Sequence, residues 1–196
     1  MQRETESVEN WLSHNLQFDA LKDSLEKALS FYGDYCRQHL IGSDMSLLLN
    51  DKKQRNTLGT FNVFSQEITL FKVKDSLNRH ILDCVLVHEL AHFIDSERYS
   101  TQSRYRHASS IRGSKERVIA ELFRMKMSPV PKKRTNYRGR TCELFARALE
   151  EFYAIHTENK NWQMEFSLND YYVDSAVFQK EIFPVVLGYI KWLRTQ

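Results

Sequence analysis

Two histidines, His88 and His92, stand four positions apart with Glu89 directly after the first, in the pattern H-E-x-x-H. On a helix, positions i and i+4 lie one turn apart on the same face, so both imidazoles can reach one Zn²⁺ at about 2.0–2.1 Å. Zinc brings the pKa of water it binds from 15.7 toward about 7, and a carboxylate in the position of Glu89 can take the released proton. This is the chemistry of metal-assisted attack on a polarised carbonyl. The pattern arises by chance in roughly two per cent of chains of this length and composition. It lies in an otherwise apolar stretch, where two histidines and a glutamate are costly to bury without partners. The alternative is a pair of surface histidines on an amphipathic helix.

A third protein ligand is required. The metzincin extension needs a Gly at position 95 and a His at position 98, and Asp95 and Arg98 stand there instead. The candidates are therefore carboxylates further on. Glu143 opens the segment Thr141-Cys142-Glu143-Leu144-Phe145-Ala146-Arg147-Ala148-Leu149-Glu150, and Glu150 closes it. Glu143 is the leading ligand and Glu150 the alternative; Glu143 could also serve only to complement the positive end of a helix. Asp95, three residues past His92, can accept the free ring N–H of a liganding histidine, or can be a charge near a helix end. Arg147 is expected to pair with Glu143 or Glu151.

H-E-L-A-H-F-I-D followed by E-L-F-A-R-A-L-E-E-F resembles the large polyvalent-protein-associated metallopeptidase-like domains of phages and conjugative elements. It is also similar to the catalytic domain of anthrax lethal factor, a gluzincin. The resemblance covers roughly Leu58 to Tyr153 and implies that Glu143 is the third zinc ligand. It also implies an oxyanion-stabilising tyrosine shortly before that glutamate. Tyr137 occupies the comparable place with one residue fewer between, and a phenol near the metal would hydrogen-bond the developing charge. Arg147 departs from the family pattern, in which a carboxylate four residues after the ligand often supports a zinc-bound histidine.

These residues need elements to position them. Apolar residues from Leu77 to Phe93 recur on a broad helical face, with Asp75 or Ser76 as its cap. Ahead of it, Met45–Asn50, Leu58–Phe64 and Glu67–Lys72 read as strands of a small antiparallel sheet, with Ser65-Gln66 turning the last pair. Val8–His39 reads as mainly helical, punctuated by Gly33 or Gly42. Ser114–Met127 has a capping serine and helical spacing, Thr141 can cap the segment that carries Glu143, and a last helix runs from about Ser175 to Leu193 with Pro184 as a kink or break. The expected class is α+β and zincin-like, mostly helical, with a small sheet containing an antiparallel pair beside the active-site helix. Residues 1–196 are expected to form one domain, with 1–45 as a helical N-terminal part.

The bulk numbers agree with a globular protein: 196 residues, 42% apolar and 12% aromatic. Cys36, Cys84 and Cys142 are odd in number, widely spaced and without a CxxC pair, which argues against a thiolate zinc site and a disulfide framework. No secretory signal and no membrane-spanning run is visible, so a cytoplasmic location and no membrane partner are expected. The net charge of +3 hides an uneven distribution, because thirteen lysines and arginines lie between Arg98 and Arg140, opposed only by Glu116 and Glu121, a stretch that reads as a solvated basic face or as a contact for nucleic acid, acidic lipid or an acidic protein. Two functions compete. One is a Zn²⁺-dependent endopeptidase acting on a protein or peptide, with His88, His92 and Glu143 on the metal and Glu89 as general base. The other is a zinc-stabilised module of a phage or mobile element that contacts nucleic acid through the basic segment 98–140. The absence of G-x-S-x-G, G-x-x-x-x-G-K and G-x-G-x-x-G removes the usual serine-hydrolase and phosphate-loop readings.

Overall fold

The computed structural model describes residues 21–42, 45–50, 58–71, 81–98, 107–127, 140–165 and 172–196. The chain opens with α1 (Lys22–Tyr32) and α2 (Asp34–Gly42), broken at Gly33, whose φ of 81° favours a residue without a Cβ. Three strands follow: β1 (Ser46–Asn50), β2 (Gly59–Asn62) and β3 (Glu67–Phe71). β2 and β3 form the expected hairpin, with Gln66 at φ 50° and the side chain of Asn62 accepting from the amides of Phe64 and Ser65 at its turn.

The sheet departs from the expected antiparallel arrangement, being mixed in the order β1-β3-β2. β1 does not pair with its neighbour in sequence. It lies parallel to β3, with Leu47 opposite Ile68, while β2 runs antiparallel to β3, with Phe61 opposite Ile68. The physical reason lies in the sequence between the strands: a tight turn joins β2 to β3, whereas a longer connection leaves β1 free to take the far edge. One sheet face, including Leu47, Phe61, Ile68 and Leu70, turns toward the helices.

The helix α3 (Leu82–Glu97) runs through the core and is buried almost all round, polar residues included, so its burial accounts for its stability better than its caps, which are plain. Asp75 and Ser76, the expected caps, lie outside the described residues. Tyr32 of α1, fully buried, donates its hydroxyl to the carbonyl of Val87 at 2.6 Å and braces α3 immediately before His88.

A 3-10 turn, Ala108–Ser110, leads to α4 (Lys115–Lys126). Ser114 caps α4 as expected, accepting from the amide of Arg117 at 3.0 Å. The next helix, α5 (Thr141–His156), starts one residue earlier than expected. Arg140 is at the cap, Thr141 is already helical, and the acidic side chain of Glu143 in the first turn complements the helix end instead.

A short helix that the sequence pattern did not suggest, α6 (Lys160–Glu165), follows. The last segment is capped by Asp174 and passes from α7 (Ser175–Val177) through a π turn (Phe178–Ile182) into α8 (Phe183–Leu193). The expected disturbance at Pro184 therefore takes the form of a widened turn: Phe183 N–H reaches back five residues to Phe178, and Pro184 enters α8 in its first turn, where its missing N–H costs little. Buried apolar residues from Leu21 to Leu193 form one cluster around α3 and α5. The fold is α+β, mostly helical with a small mixed sheet.

Candidate metal centre

The site sits between α3 and α5, and residue spacing explains why it forms. His88, His92 and Asp95 follow one another at i, i+4 and i+7, as do Glu143, Arg147 and Glu150 on the facing helix. As the chain advances along α3, its partners recede along α5: Asp83 meets Tyr153, His88 meets Glu150, and both histidines meet Glu143. The helices are thus antiparallel, and the upper turn of α5 is brought to the two imidazoles.

His88, His92 and Glu143 form a group that can hold a metal ion, each offering one ligand atom, with all three atoms within 4.8 Å of one another. His88 Nε2 lies 3.6 Å from Glu143 Oε1, and His92 Nε2 lies 3.6 Å from Glu143 Oε2. These separations are too long for hydrogen bonds, which centre near 2.9 Å. They are close to the edge of a tetrahedron with bonds of about 2.0–2.1 Å, which is about 3.4 Å. Glu143 Oε2 is also buried without a hydrogen-bond partner among the described residues. An anionic oxygen left this way is costly unless a cation serves it. The donor set of two imidazoles and a carboxylate suits a borderline-soft divalent ion.

The electrostatics point the same way. Burial works to raise the pKa of Glu143, but His88, His92 and the Arg147 guanidinium outweigh it and hold the carboxyl well below its usual range. Burial works to lower that of His88, but Glu143 and Glu150 overcome it and carry the ring up to about 9. The protein thus keeps a ready carboxylate, and an ion entering the site must displace a proton from His88.

Glu89 is buried on the same turn as His88 and lies under the sheet. Gly59 opens β2 directly above it: a Cβ there would stand 2.8 Å from Glu89 Oε1 and 2.9 Å from Val85 Cγ1. Two residues along, Phe61 meets Phe93 edge-on at 6.0 Å, so β2 tracks α3 from Glu89 to Phe93. Burial raises the pKa of Glu89, and the two histidines pull it back. The hydrogen bond from Phe71 N–H to the Leu58 carbonyl fixes the phase of the β2–β3 ladder, so Gly59 and Phe61 direct their own amides and carbonyls to the opposite edge of β2.

The carboxylate that orients a histidine is Glu150. Its Oε2 accepts from His88 Nδ1 at 2.9 Å, which leaves Glu150 outside the group of three and turns the Nε2 side of the ring toward Glu143. Asp95 does not take this part. Its two oxygens accept the amide and the hydroxyl of Ser109, both at 2.6 Å, because the 3-10 turn comes down on this end of α3. Arg147 donates to Glu143 Oε1 at 2.9 Å, as its i+4 spacing suggested.

Sequence reasoning missed Gly59 and also Trp162 and Tyr172, which pack in and against the core and both donate to Glu150. The i+7 spacing of Glu150 from Glu143 was the available signal. Tyr137 lies outside the described residues, as do Lys132, Lys133 and Arg134. Four of the described cations of the basic segment are engaged with acids, Arg98 with Glu116, Arg117 and Arg124 with Glu121, and Lys126 with Glu181, and Lys115 lies over the Trp192 ring. The three cysteines are free thiols. Among the described residues no helix is long and apolar enough to cross a membrane.

Comparison of the chain with family models, with curated proteins and with solved structures gave no match in any of the three.

Proposed function

We propose that this protein is a zinc-dependent peptidase of the gluzincin type, with His88, His92 and Glu143 as metal ligands and Glu89 as the general base. The observation that carries the reading is the convergence of three ligand atoms, from two antiparallel helices, within 4.8 Å of one another, beside the buried acidic side chain of Glu89.

A zinc ion in this group supplies a Lewis acid for a carbonyl oxygen and makes water acidic near neutral pH. The remaining roles belong to the chain. Glu89 accepts the proton of the attacking water and passes it to the leaving nitrogen, so one carboxylate serves as base and then as acid. Its raised pKa brings it nearer to the range in which both transfers are efficient. Glu150 holds the ring of His88, and Arg147 holds one oxygen of Glu143.

The edge of β2 supports a peptide as substrate. An extended chain laid along it would find the outward amides and carbonyls of Gly59 and Phe61, with Gly59 adjoining Glu89. The absence of a side chain at position 59 lets the two backbones approach the base closely.

The experiment is elemental analysis of the purified protein and of His88→Ala, Glu143→Ala and Glu89→Gln, together with cleavage of an unfolded protein such as casein. One zinc per chain is expected in the wild type, with loss of metal in the first two variants. Glu89→Gln should keep the metal and lose cleavage by at least about 10²-fold, at the scale of a missing general base. A metal-free wild type, or a Glu89→Gln protein that cleaves normally, would overturn the assignment.

A further inference from the structure

Glu150 lies two turns below Glu143 on the same face of α5, outside the ligand group, yet it is buried at 6% exposure. Three donors surround its carboxylate: His88 Nδ1 at 2.9 Å and the Tyr172 hydroxyl at 3.0 Å on Oε2, and the Trp162 indole N–H at 3.0 Å on Oε1. Trp162 is itself fully buried, on α6. Tyr172 reaches in from beyond α6, and its ring packs edge-on against Trp162 at 4.9 Å.

This arrangement has a requirement of its own. All three groups donate, so position 150 must accept on both terminal atoms, which only a carboxylate does; a glutamine would turn its amide N–H₂ toward a donor. Nor can Glu150 swing away, because the indole and the phenol hold it from the other side. With Nδ1 committed as a donor, the lone pair available for a metal is on Nε2, the nitrogen 3.6 Å from Glu143. The general effect of such partners on metal ligands is large, about 10–100-fold in affinity when they are lost.

We propose that Glu150, clamped by Trp162 and Tyr172, is a positioning residue that locks the ring of His88 in its metal-binding orientation, so that the affinity of the centre is set from the C-terminal third of the chain. The inference rests on the metal-site reading above. It assigns two aromatic side chains, which otherwise serve as core, to control of the metal.

The test is zinc affinity by chelator competition on the full chain, alongside thermal unfolding of the metal-free protein. Glu150→Gln is expected to weaken zinc binding about 10–100-fold. Trp162→Phe and Tyr172→Phe each remove one donor while keeping a ring, and are expected to weaken it in the same direction by less. Because both act through Glu150, Trp162→Phe should add little in a Glu150→Gln background. Merely structural roles would lower the unfolding temperature of the metal-free variants and leave zinc affinity within two-fold of wild type, and that result overturns the proposal. So does a Trp162→Phe effect that persists undiminished in the Glu150→Gln protein. If Glu150→Gln does not fold, the two aromatic variants decide alone. A wild-type chain that binds no zinc overturns the metal reading itself and this inference with it, which separates the two failures.

Discussion

Replacing Gly59 by alanine adds one methyl group where β2 crosses α3, and the structure says what it meets. The new Cβ would stand 2.8 Å from Glu89 Oε1, 2.9 Å from Glu89 Cγ and 2.9 Å from Val85 Cγ1. Carbon contacts are comfortable at about 3.5–4.0 Å, so about 0.6 Å or more of displacement is needed. The end of the Glu89 side chain can move; Val85, β-branched and buried, moves much less, and β2 is held by its ladder to β3. Overpacking of this kind costs about 1–3 kcal/mol. For the chemistry, the consequence is a general base displaced from its working position, and misplacements on the 1 Å scale cost about 10²-fold in rate. We therefore expect Gly59→Ala to lower cleavage by about 10–100-fold and to lower stability, while one zinc per chain remains, since Glu89 is not a ligand. Gly188→Ala is the control: it lies in α8 with no heavy atom within 4 Å of the added Cβ, so activity should be unchanged and stability slightly higher. Cleavage rate, zinc content and denaturant unfolding of both variants make the assay. Full activity and unchanged stability in Gly59→Ala would refute the idea that β2 seats the base.

Three further outcomes are expected. Burial pushes the Glu151 carboxyl up to about 9, so the native state keeps a proton that the unfolded chain releases near 4.5. Stability should fall as pH rises through that window, and Glu151→Gln should flatten the slope by up to about 1.4 kcal/mol per pH unit in denaturant titrations; equal slopes would contradict it. Tyr32→Phe removes the 2.6 Å hydrogen bond to the Val87 carbonyl and should cost about 1–1.5 kcal/mol in chemical unfolding with zinc content unchanged. Stripping the metal with a chelator should lower the unfolding temperature reversibly, by about 4 kcal/mol of stability if the ion is present at a thousand times its dissociation constant, and calorimetry with and without added zinc measures it.

The histidine pair was legible because helical periodicity alone dictates that i and i+4 share a face. Glu143 was legible in part: its position could be narrowed to one of two carboxylates, but the choice depended on how α5 is set against α3. Only the register of α5 against α3 decides it, since sliding α5 by two turns would exchange Glu143 and Glu150. Local signals also gave the Ser114 cap, the β2–β3 hairpin and the disturbance at Pro184. The position of β1 was not legible, because strand order follows from long-range pairing and β1 carries no mark of its partner. Asp95 illustrates the same limit. Its spacing from His92 was right for an orienting role, but a serine fourteen residues on reached it first. Gly59 gave no warning at all, since a glycine opening a strand reads as a turn until the element crossing it is known.

The antiparallel setting of α3 and α5 also governs the order in which the centre is assembled. Two imidazoles on one turn are a weak chelate, and the carboxylate that completes the set belongs to a helix formed much later in the chain. On the proposed reading, the full set of ligands exists only once the two helices have packed, so an ion would gain most of its affinity from the folded protein. The apolar cluster around α3 and α5 is the kind of core a zinc finger lacks, so the metal-free chain is expected to fold and to offer the ion a finished site.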